Sequence, residues 1–222
     1  MKIVPLSSTS CLAVFTLALT AGAQSATILG GSGQSNNVTI PADHGSRLLG
    51  TPNLVLAWSA DWDAYTSRTT SDYTPFATWP NDAQASGVYQ LDAALNVTQT
   101  IAFTPDTGFA VILSSLDLND WVQGPSDLAG MDVDWVVSGP LSGTLGSGTF
   151  ATVDGTSRNF TLGGLTGADG ETLTLGLTQR SGSASYLAMD NLSFDQVAVP
   201  EPTGAALGVL ALGAMAMRRR RA

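Results

Sequence analysis

The sequence is poor in cysteine and in basic residues, and each shortage excludes a class of protein. Its only cysteine is Cys11, so the rest of the chain cannot form a disulfide framework. Lys2 is the only lysine and His44 the only histidine. With so few thiol and imidazole groups, the usual zinc-protease and cysteine-nucleophile sites are excluded. The Gly-x-Ser-x-Gly motif of serine hydrolases is also missing.

Acidic residues far outnumber basic ones in the middle of the chain. Between residues 24 and 199, seventeen acidic residues stand against four arginines, which gives a formal charge of −13. Of these seventeen acidic residues, all except Glu171 are aspartates. This excess excludes nucleic acid as a partner, favours solubility outside the cell and attracts divalent cations.

The N-terminus predicts a secretory signal peptide over residues 1–23. Lys2 supplies its positive charge, residues 12–21 form a short apolar run, and Ala21-Gly22-Ala23 is a typical cleavage site. The run is too short for a stable membrane span, and the alternative is a buried N-terminal helix. Export is therefore expected, with a folded domain over residues 27–198.

The C-terminal residues 199–222 carry a second targeting pattern. Pro200-Glu201-Pro202 precedes an uncharged apolar run over residues 203–217, and a basic cluster follows, made of Arg218, Arg219, Arg220 and Arg221. This arrangement resembles the PEP-CTERM sorting signal of exported bacterial proteins. The resemblance implies a short transmembrane helix, an exosortase-type processing protease as partner, and delivery to the cell surface or extracellular matrix. An uncleaved membrane anchor is the alternative.

Between the two signals, the pattern predicts an all-β fold. Apolar residues alternate with polar ones in short runs separated by glycine-rich turns, which is typical of a two-sheet antiparallel sandwich of the jelly-roll type. A change of phase near Ser114 and Ser115 predicts a bulge. Gly146-Ser147-Gly148 and Gly163-Gly164 predict turns. The predicted strands are residues 54–58, 88–91, 97–103, 109–113, 131–137, 148–153, 159–162, 173–177 and 186–197.

Residues 60–87 fit no strand pattern and form a long loop rich in aromatic residues. Exposed tryptophan and tyrosine rings stack on sugars, and nearby aspartates accept hydrogen bonds from hydroxyl groups. The loop is therefore the candidate site for a polysaccharide, and the alternative is that rings such as Trp58 and Trp79 plug the end of the sandwich. The candidate ligand-binding residues are Trp62, Tyr65, Tyr73 and Trp79.

Asp190 is the candidate metal ligand. By strand periodicity it shares a face with Leu192 and Phe194, so its carboxylate points into the core and needs calcium, an arginine or backbone N–H groups as a partner. A hydrogen-bonded structural aspartate is the alternative to calcium. Residues 186–194 also resemble the closing strand of PEP-CTERM passenger domains and of galactose-binding-like carbohydrate modules. The oxygen-rich residues 117–120 are interpreted as a solvated turn.

These features predict an exported, non-enzymatic protein of the cell envelope or extracellular matrix. A carbohydrate-binding module is the first alternative. A glycoside hydrolase is the second, because that chemistry requires only two carboxylates, such as Asp61 and Asp63. No catalytic residue is assigned.

The C-terminal tail yields the first testable prediction. If an exosortase-type protease removes it, the protein isolated from the cell envelope lacks Arg218 to Arg221. Intact mass spectrometry measures this directly, and a complete C-terminus on every molecule would identify an uncleaved anchor. Replacing the four arginines with asparagine should weaken membrane orientation, because cytoplasmic positive charge sets it.

Overall fold

A computed structural model describes residues 24–28, 38–59, 62–65, 88–91, 96–121, 131–152, 158–180 and 186–199. The described residues contain twelve strands and no helix, which confirms the all-β prediction. Accordingly, none of the described segments is an apolar helix long enough to cross a membrane. The predicted signal peptide, the sorting tail and most of residues 60–87 lie outside the described residues.

Nine of the twelve strands overlap the predicted ones. β1, β2 and β4 were not expected, and β4 corrects the prediction that residues 60–87 contain no strand. The strands are β1 (Gln24–Ile28), β2 (Val38–Thr39), β3 (Leu54–Trp58), β4 (Trp62–Tyr65), β5 (Val88–Leu91), β6 (Thr98–Pro105), β7 (Phe109–Trp121), β8 (Asp132–Gly139), β9 (Gly143–Ala151), β10 (Arg158–Thr166), β11 (Leu173–Gln179) and β12 (Tyr186–Ala198).

The strands form two antiparallel sheets that pack face to face. The seven-stranded sheet has the order β10-β7-β12-β5-β4-β2, with β1 also paired to β12, and the five-stranded sheet has the order β3-β6-β11-β8-β9. Phe103 of β6 and Phe194 of β12 meet across the interior with ring centroids 5.2 Å apart. Both are fully buried, so the core lies between the sheets, as the alternating pattern predicts.

Three neighbouring strands are irregular at the same level of the seven-stranded sheet. β12 carries an extra residue between Asp190 and Ser193, and β7 leaves Ser114 without a register partner on β12. β10 carries extra residues between Thr161 and Leu165. Each irregularity changes which alternate residues point inward, because the side-chain period of a strand is two.

The predicted bulge near Ser114 and Ser115 is therefore confirmed. The predicted turn at Gly163-Gly164 is wrong, because both glycines lie inside β10 at its bulge, with φ angles of 81° and 69°. Glycine takes this left-handed conformation without strain, so a sequence pattern that marks a turn also suits a bulge. Residues 117–120, interpreted from sequence as a turn, are likewise part of β7.

The connections sort to two ends of the sandwich. At one end, the chain connects β3 to β4, β5 to β6, β7 to β8, β9 to β10 and β11 to β12. We call this the loop end. At the opposite end, the turn end, the chain connects β6 to β7, β8 to β9 and β10 to β11.

A single buried carboxylate holds two connections together at the turn end. Glu171 Oε1 accepts hydrogen bonds from the backbone N–H groups of Leu141 and Ser142, both at 2.6 Å. Its Oε2 accepts from Ser142 Oγ at 2.5 Å and from the N–H of Ala168 at 2.7 Å. These donors favour the charged form and lower the pKa of Glu171 from 4.5 to about 2.

The Glu171 contacts predict an acid-sensitive contribution to stability. Because the folded-state pKa is depressed, the contribution is complete above about pH 4.5 and disappears as the pH falls towards 2. Glu171→Gln should lower the melting temperature by several degrees at pH 7, since an amide NH₂ group then faces donors, and by much less near pH 2. Thermal melts across this pH range measure both effects. The control is Asp43→Asn, which removes the same charge at an exposed position. Its difference in melting temperature from the wild type should not shrink in this way at low pH.

Candidate functional site

The inner face of the five-stranded sheet becomes polar at the loop end. On the inner faces of β6 and β11 the buried side chains are apolar as far as Gln99 and Gln179, which are buried and polar. Ser59 Oγ donates to Gln99 Oε1 at 2.8 Å and accepts from the N–H of Thr100 at 3.2 Å. The Gln99 oxygen is thus satisfied by the Ser59 hydroxyl.

Two tryptophans continue this layer towards the seven-stranded sheet. Trp58 and Trp62 pack edge to face with ring centroids 5.5 Å apart and an interplanar angle of 82°. Trp58 Nε1 donates to the backbone oxygen of His44 at 2.8 Å. Trp62 is fully buried, and its Nε1 has no hydrogen-bond partner among the described residues. A buried donor without an acceptor costs about 1–3 kcal/mol, so this group calls for an explanation.

The only histidine lies beside the tryptophan pair. The imidazole of His44 is 6.2 Å from the ring of Trp58, at an interplanar angle of 49°. Burial lowers the pKa of His44, and the nearby Asp43 opposes this shift only in part. The imidazole is therefore neutral at neutral pH and can donate or accept a hydrogen bond.

The structure places only one of the four predicted ligand-binding side chains. Trp62 lies in the core, so its ring face is not available for stacking on a sugar from solvent. Tyr65 belongs to β4, where only its backbone is described, and Tyr73 and Trp79 lie outside the described residues. Trp58 is also buried, as the alternative packing interpretation expects for that residue.

Asp190 is buried, as predicted, but the prediction from strand periodicity that its side chain shares a face with Leu192 and Phe194 was wrong. Leu187 and Met189 are buried before it, and Leu192 and Phe194 after it, so the inward-facing phase changes at Asp190 itself. Asp190 Oδ1 accepts from the N–H of Asn191 at 2.7 Å. Asn191 has a φ of 47°, so the carboxylate helps to hold the left-handed residue of the bulge.

An amide and carboxylate network surrounds this bulge. Asp117, the register partner of Asp190 on β7, accepts from Asn191 Nδ2 at 2.8 Å on one oxygen and from Asn159 Nδ2 at 2.7 Å on the other. The network joins β10, β7 and β12 through side chains at the level where their backbone ladders are irregular. Both oxygens of Asp117 accept hydrogen bonds, so this carboxylate has a structural role.

Asp190 also occupies a gap between two partner strands. On the side of β12 away from β7, β5 pairs with residues 187–189 and β1 pairs with residues 192–196. Neither strand pairs with Asp190 or Asn191. The described residues contain no group of three or more His, Cys, Asp or Glu side chains that could hold a metal ion. Calcium at Asp190 therefore remains a prediction that needs ligands from other parts of the chain.

Thermal melts with and without calcium test the role of Asp190. The bulge geometry predicts that Asp190→Asn changes the melting temperature equally in calcium and in chelator, because an asparagine oxygen can still accept from Asn191 N–H. If calcium bridges Asp190 to another segment, the wild-type chain should instead melt several degrees higher in calcium, and Asp190→Asn should remove that difference. Asp195→Asn, another aspartate of β12, is the matched control.

Sequence reasoning missed two features of the structure. Glu171 was noted only as the single glutamate among aspartates, although its longer side chain is what reaches two connections. Trp135 lies in the predicted strand 131–137 and carries no further prediction, but its ring stacks on Phe150 at 5.3 Å, and Phe150 stacks on Phe160 at 4.3 Å. These three rings lie between the edge strands β9 and β10, and Gly148 opposite Trp135 was the available signal.

Comparisons with known proteins find no sequence relative and only distant structural neighbours. No family profile and no curated protein matches the sequence. Similar solved structures include a cyclase from Fischerella sp. TAU, 14% identical, with a TM-score of 0.44 over 80% of this chain and 100% of the cyclase. TmCBM61 in complex with β-1,4-galactotriose is 12% identical, with a TM-score of 0.37 over 74% of this chain and 99% of its own.

A carbohydrate-binding module CBM36, solved with calcium and xylotriose, is 20% identical to this chain. The match covers 52% of this chain and 84% of the module, with a TM-score of 0.31. Carbohydrate-binding modules are thus among the structures that this sandwich resembles. At TM-scores below 0.5, none of these similarities assigns a function to the chain.

Proposed function

We propose that this chain is an exported, non-enzymatic protein whose β-sandwich binds a neutral polysaccharide at the loop end. The observation that carries the proposal is the unsatisfied donor Trp62 Nε1, buried beside Trp58. The hydroxyl and ring oxygens of a sugar are acceptors that can meet such a donor. Because Trp62 is fully buried in the free protein, the proposal requires the loop end to open when the sugar binds.

The charge of the domain favours a neutral ligand. The formal charge of −13 over residues 24–199 repels anionic polymers, as it repels nucleic acid. Arg180, which follows β11 at this end, donates to Asp134 Oδ2 at 2.6 Å and to Asn96 Oδ1 at 3.1 Å, so its charge is already matched. Uncharged hydroxyl-bearing chains avoid this repulsion while offering many acceptors.

A purely structural role in the envelope or matrix is the second candidate. The acidic, lysine-free surface supports it, because such a surface keeps a secreted protein soluble without any ligand. Both candidates include export, sorting by the tail and the lack of enzymatic activity, and these three proposals rest on the sequence. Glycan binding is therefore the property that separates them.

A Trp62→Phe variant tests the glycan proposal. Phenylalanine keeps an aromatic ring in the core but lacks the five-membered ring of the indole, which carries the N–H group. Because the donor is unsatisfied in the free protein, its loss should cost less stability than the loss of a bonded indole N–H. Binding should weaken by roughly two- to tenfold, the worth of about one hydrogen bond of 0.5–1.5 kcal/mol. The measurement is a glycan array of neutral oligosaccharides, including β-1,4-linked xylose and galactose chains, probed with the full-length chain in detergent.

Trp58→Phe is the matched control, since Trp58 Nε1 already donates to His44. It should lower the melting temperature more than Trp62→Phe does. Equal binding by wild type and Trp62→Phe to every glycan retained on the array would refute the proposed site. No binding to any glycan would favour the structural role.

A further inference from the structure

The first and last described strands lie side by side at the turn end. β1 pairs antiparallel with β12, and Gln24 is the register partner of Gln196. Beyond β12, Val199 N donates at 2.8 Å to Gly108 O, in the connection between β6 and β7. The predicted signal peptide directly precedes Gln24, and Pro200-Glu201-Pro202 follows Val199. The folded domain therefore joins both targeting sequences at the same end of the sandwich.

Little chain separates this end from the predicted membrane segment. Only residues 200–202 stand between Val199 and the apolar run 203–217, and three extended residues reach about 10 Å. As a helix, the run itself would span about 22 Å, which is less than the hydrocarbon thickness of about 30 Å. A tail of these lengths that crosses the membrane would hold the turn end against the lipid headgroups.

The turn end also carries the two most exposed large apolar side chains of the described residues. Leu49 is 97% exposed and Leu141 is 74% exposed. Leu141 lies in the connection between β8 and β9. Leu49 precedes Gly50, where a Cβ atom would lie 2.5 Å from Ser25 O, so it lies beside the first residues of β1. A single exposed leucine is ordinary, but these two share the end from which the tail departs.

The connections of the turn end carry little free negative charge. Their acidic residues are Asp106, Asp169 and Glu171. Asp106 forms an ion pair with Arg47, whose Nη2 is 2.8 Å from Oδ1. Asp169 Oδ1 accepts from Gly108 N at 2.7 Å, and Glu171 is buried among its four donors.

Five other aspartates lie in the loop-end halves of their strands: Asp117, Asp120, Asp132, Asp134 and Asp190. Anionic lipid headgroups repel such an acidic surface. An acidic domain therefore approaches a membrane most easily through its turn end.

We infer that, before the tail is processed, the turn end lies on the lipid headgroups, with Leu49 and Leu141 in contact with the bilayer. The inference rests on the tail-anchored export that is part of the proposed function. Each leucine that enters the interface removes apolar surface from water, which favours this orientation. The loop end, with the proposed glycan site, is then directed away from the membrane.

A fluorescent label on a single cysteine measures this orientation in the full-length chain. Cys11 is the only native cysteine, so a Cys11→Ser background has no other thiol. Thr107→Cys places the label in the exposed connection between β6 and β7, and Val97→Cys places it at an exposed position before β6. The two sites are separated by the eight residues of β6, or about 26 Å.

The labelled chains are reconstituted into vesicles of phosphatidylethanolamine and phosphatidylglycerol that contain a lipid with a nitroxide quencher on its headgroup. The label at Thr107 should be quenched severalfold more strongly than the label at Val97, because only the turn end lies near the headgroups. Equal quenching at the two sites would overturn the inference.

Flotation of the vesicles tests the anchor separately. A chain that does not float with them would overturn the predicted membrane segment, and this inference with it. Glycan binding is measured in detergent, so its outcome depends on neither result.

Serine substitutions test the contact made by the two leucines. Leu49→Ser combined with Leu141→Ser should reduce the quenching of the Thr107 label, because the turn end then loses its apolar contact with the bilayer. Both side chains are exposed, so the fold should not change. Val38→Ser, which removes an exposed apolar side chain of β2, is the matched control and should leave the quenching unchanged. Undiminished quenching in the double variant would show that the leucines do not contact the bilayer, contrary to the inference.

Discussion

The seven-stranded sheet depends on its bulges falling at one level. A bulge in a single strand would turn the far half of that strand over, so that its apolar side chains faced solvent. Here β7 and β12 change phase together, and β10 follows with its own bulge. Leu116 and Leu118 therefore point inward beyond the irregularity, as Val111 and Leu113 do before it. The Asp117 network of side-chain hydrogen bonds stabilises the strands at this level.

Buried polar groups occur at both ends of the sandwich. At the turn end, Glu171 accepts four hydrogen bonds and Gln196 Oε1 accepts one from Asn53 N, whereas Thr51 Oγ1 is buried there with no partner in the described part of the chain. At the loop end, Trp62 Nε1 is a buried donor that has no acceptor among the described residues. Hydrogen-bonded groups stabilise the fold, whereas an unsatisfied donor lowers its stability unless a ligand supplies the acceptor. The proposed binding site uses the donor at the loop end.

Alternation of apolar residues was sufficient to predict the fold class and most strands, because a half-buried strand must alternate. It also located the bulge in β7, where the alternation visibly changes phase. The sequence pattern was misleading at Gly146 and Gly148, which it marks as turn residues. Both lie in β9, where the absence of side chains leaves room for the ring of Trp135 on β8. It failed again at Trp62, because the composition of residues 60–87 resembles an exposed loop. Gly148 faces Trp135 of the neighbouring strand, and Trp62 pairs with Leu91 in the ladder between β4 and β5. Local sequence patterns do not encode such pairings between strands.

Among the described strands, the last one pairs with the most partners. β12 pairs with β7 along most of its length and with β5 and β1 on its other side, so the first and last described strands are neighbours. Until residues 186–198 are available, the inner strands of the seven-stranded sheet lack their shared partner, and contacts of such long sequence separation form slowly. A chain that crosses a membrane N-terminus first would complete this sheet only after nearly all of it had passed. If the chain is exported as proposed, this order of strands would keep it unfolded, and so able to pass through a narrow channel, until translocation is almost finished.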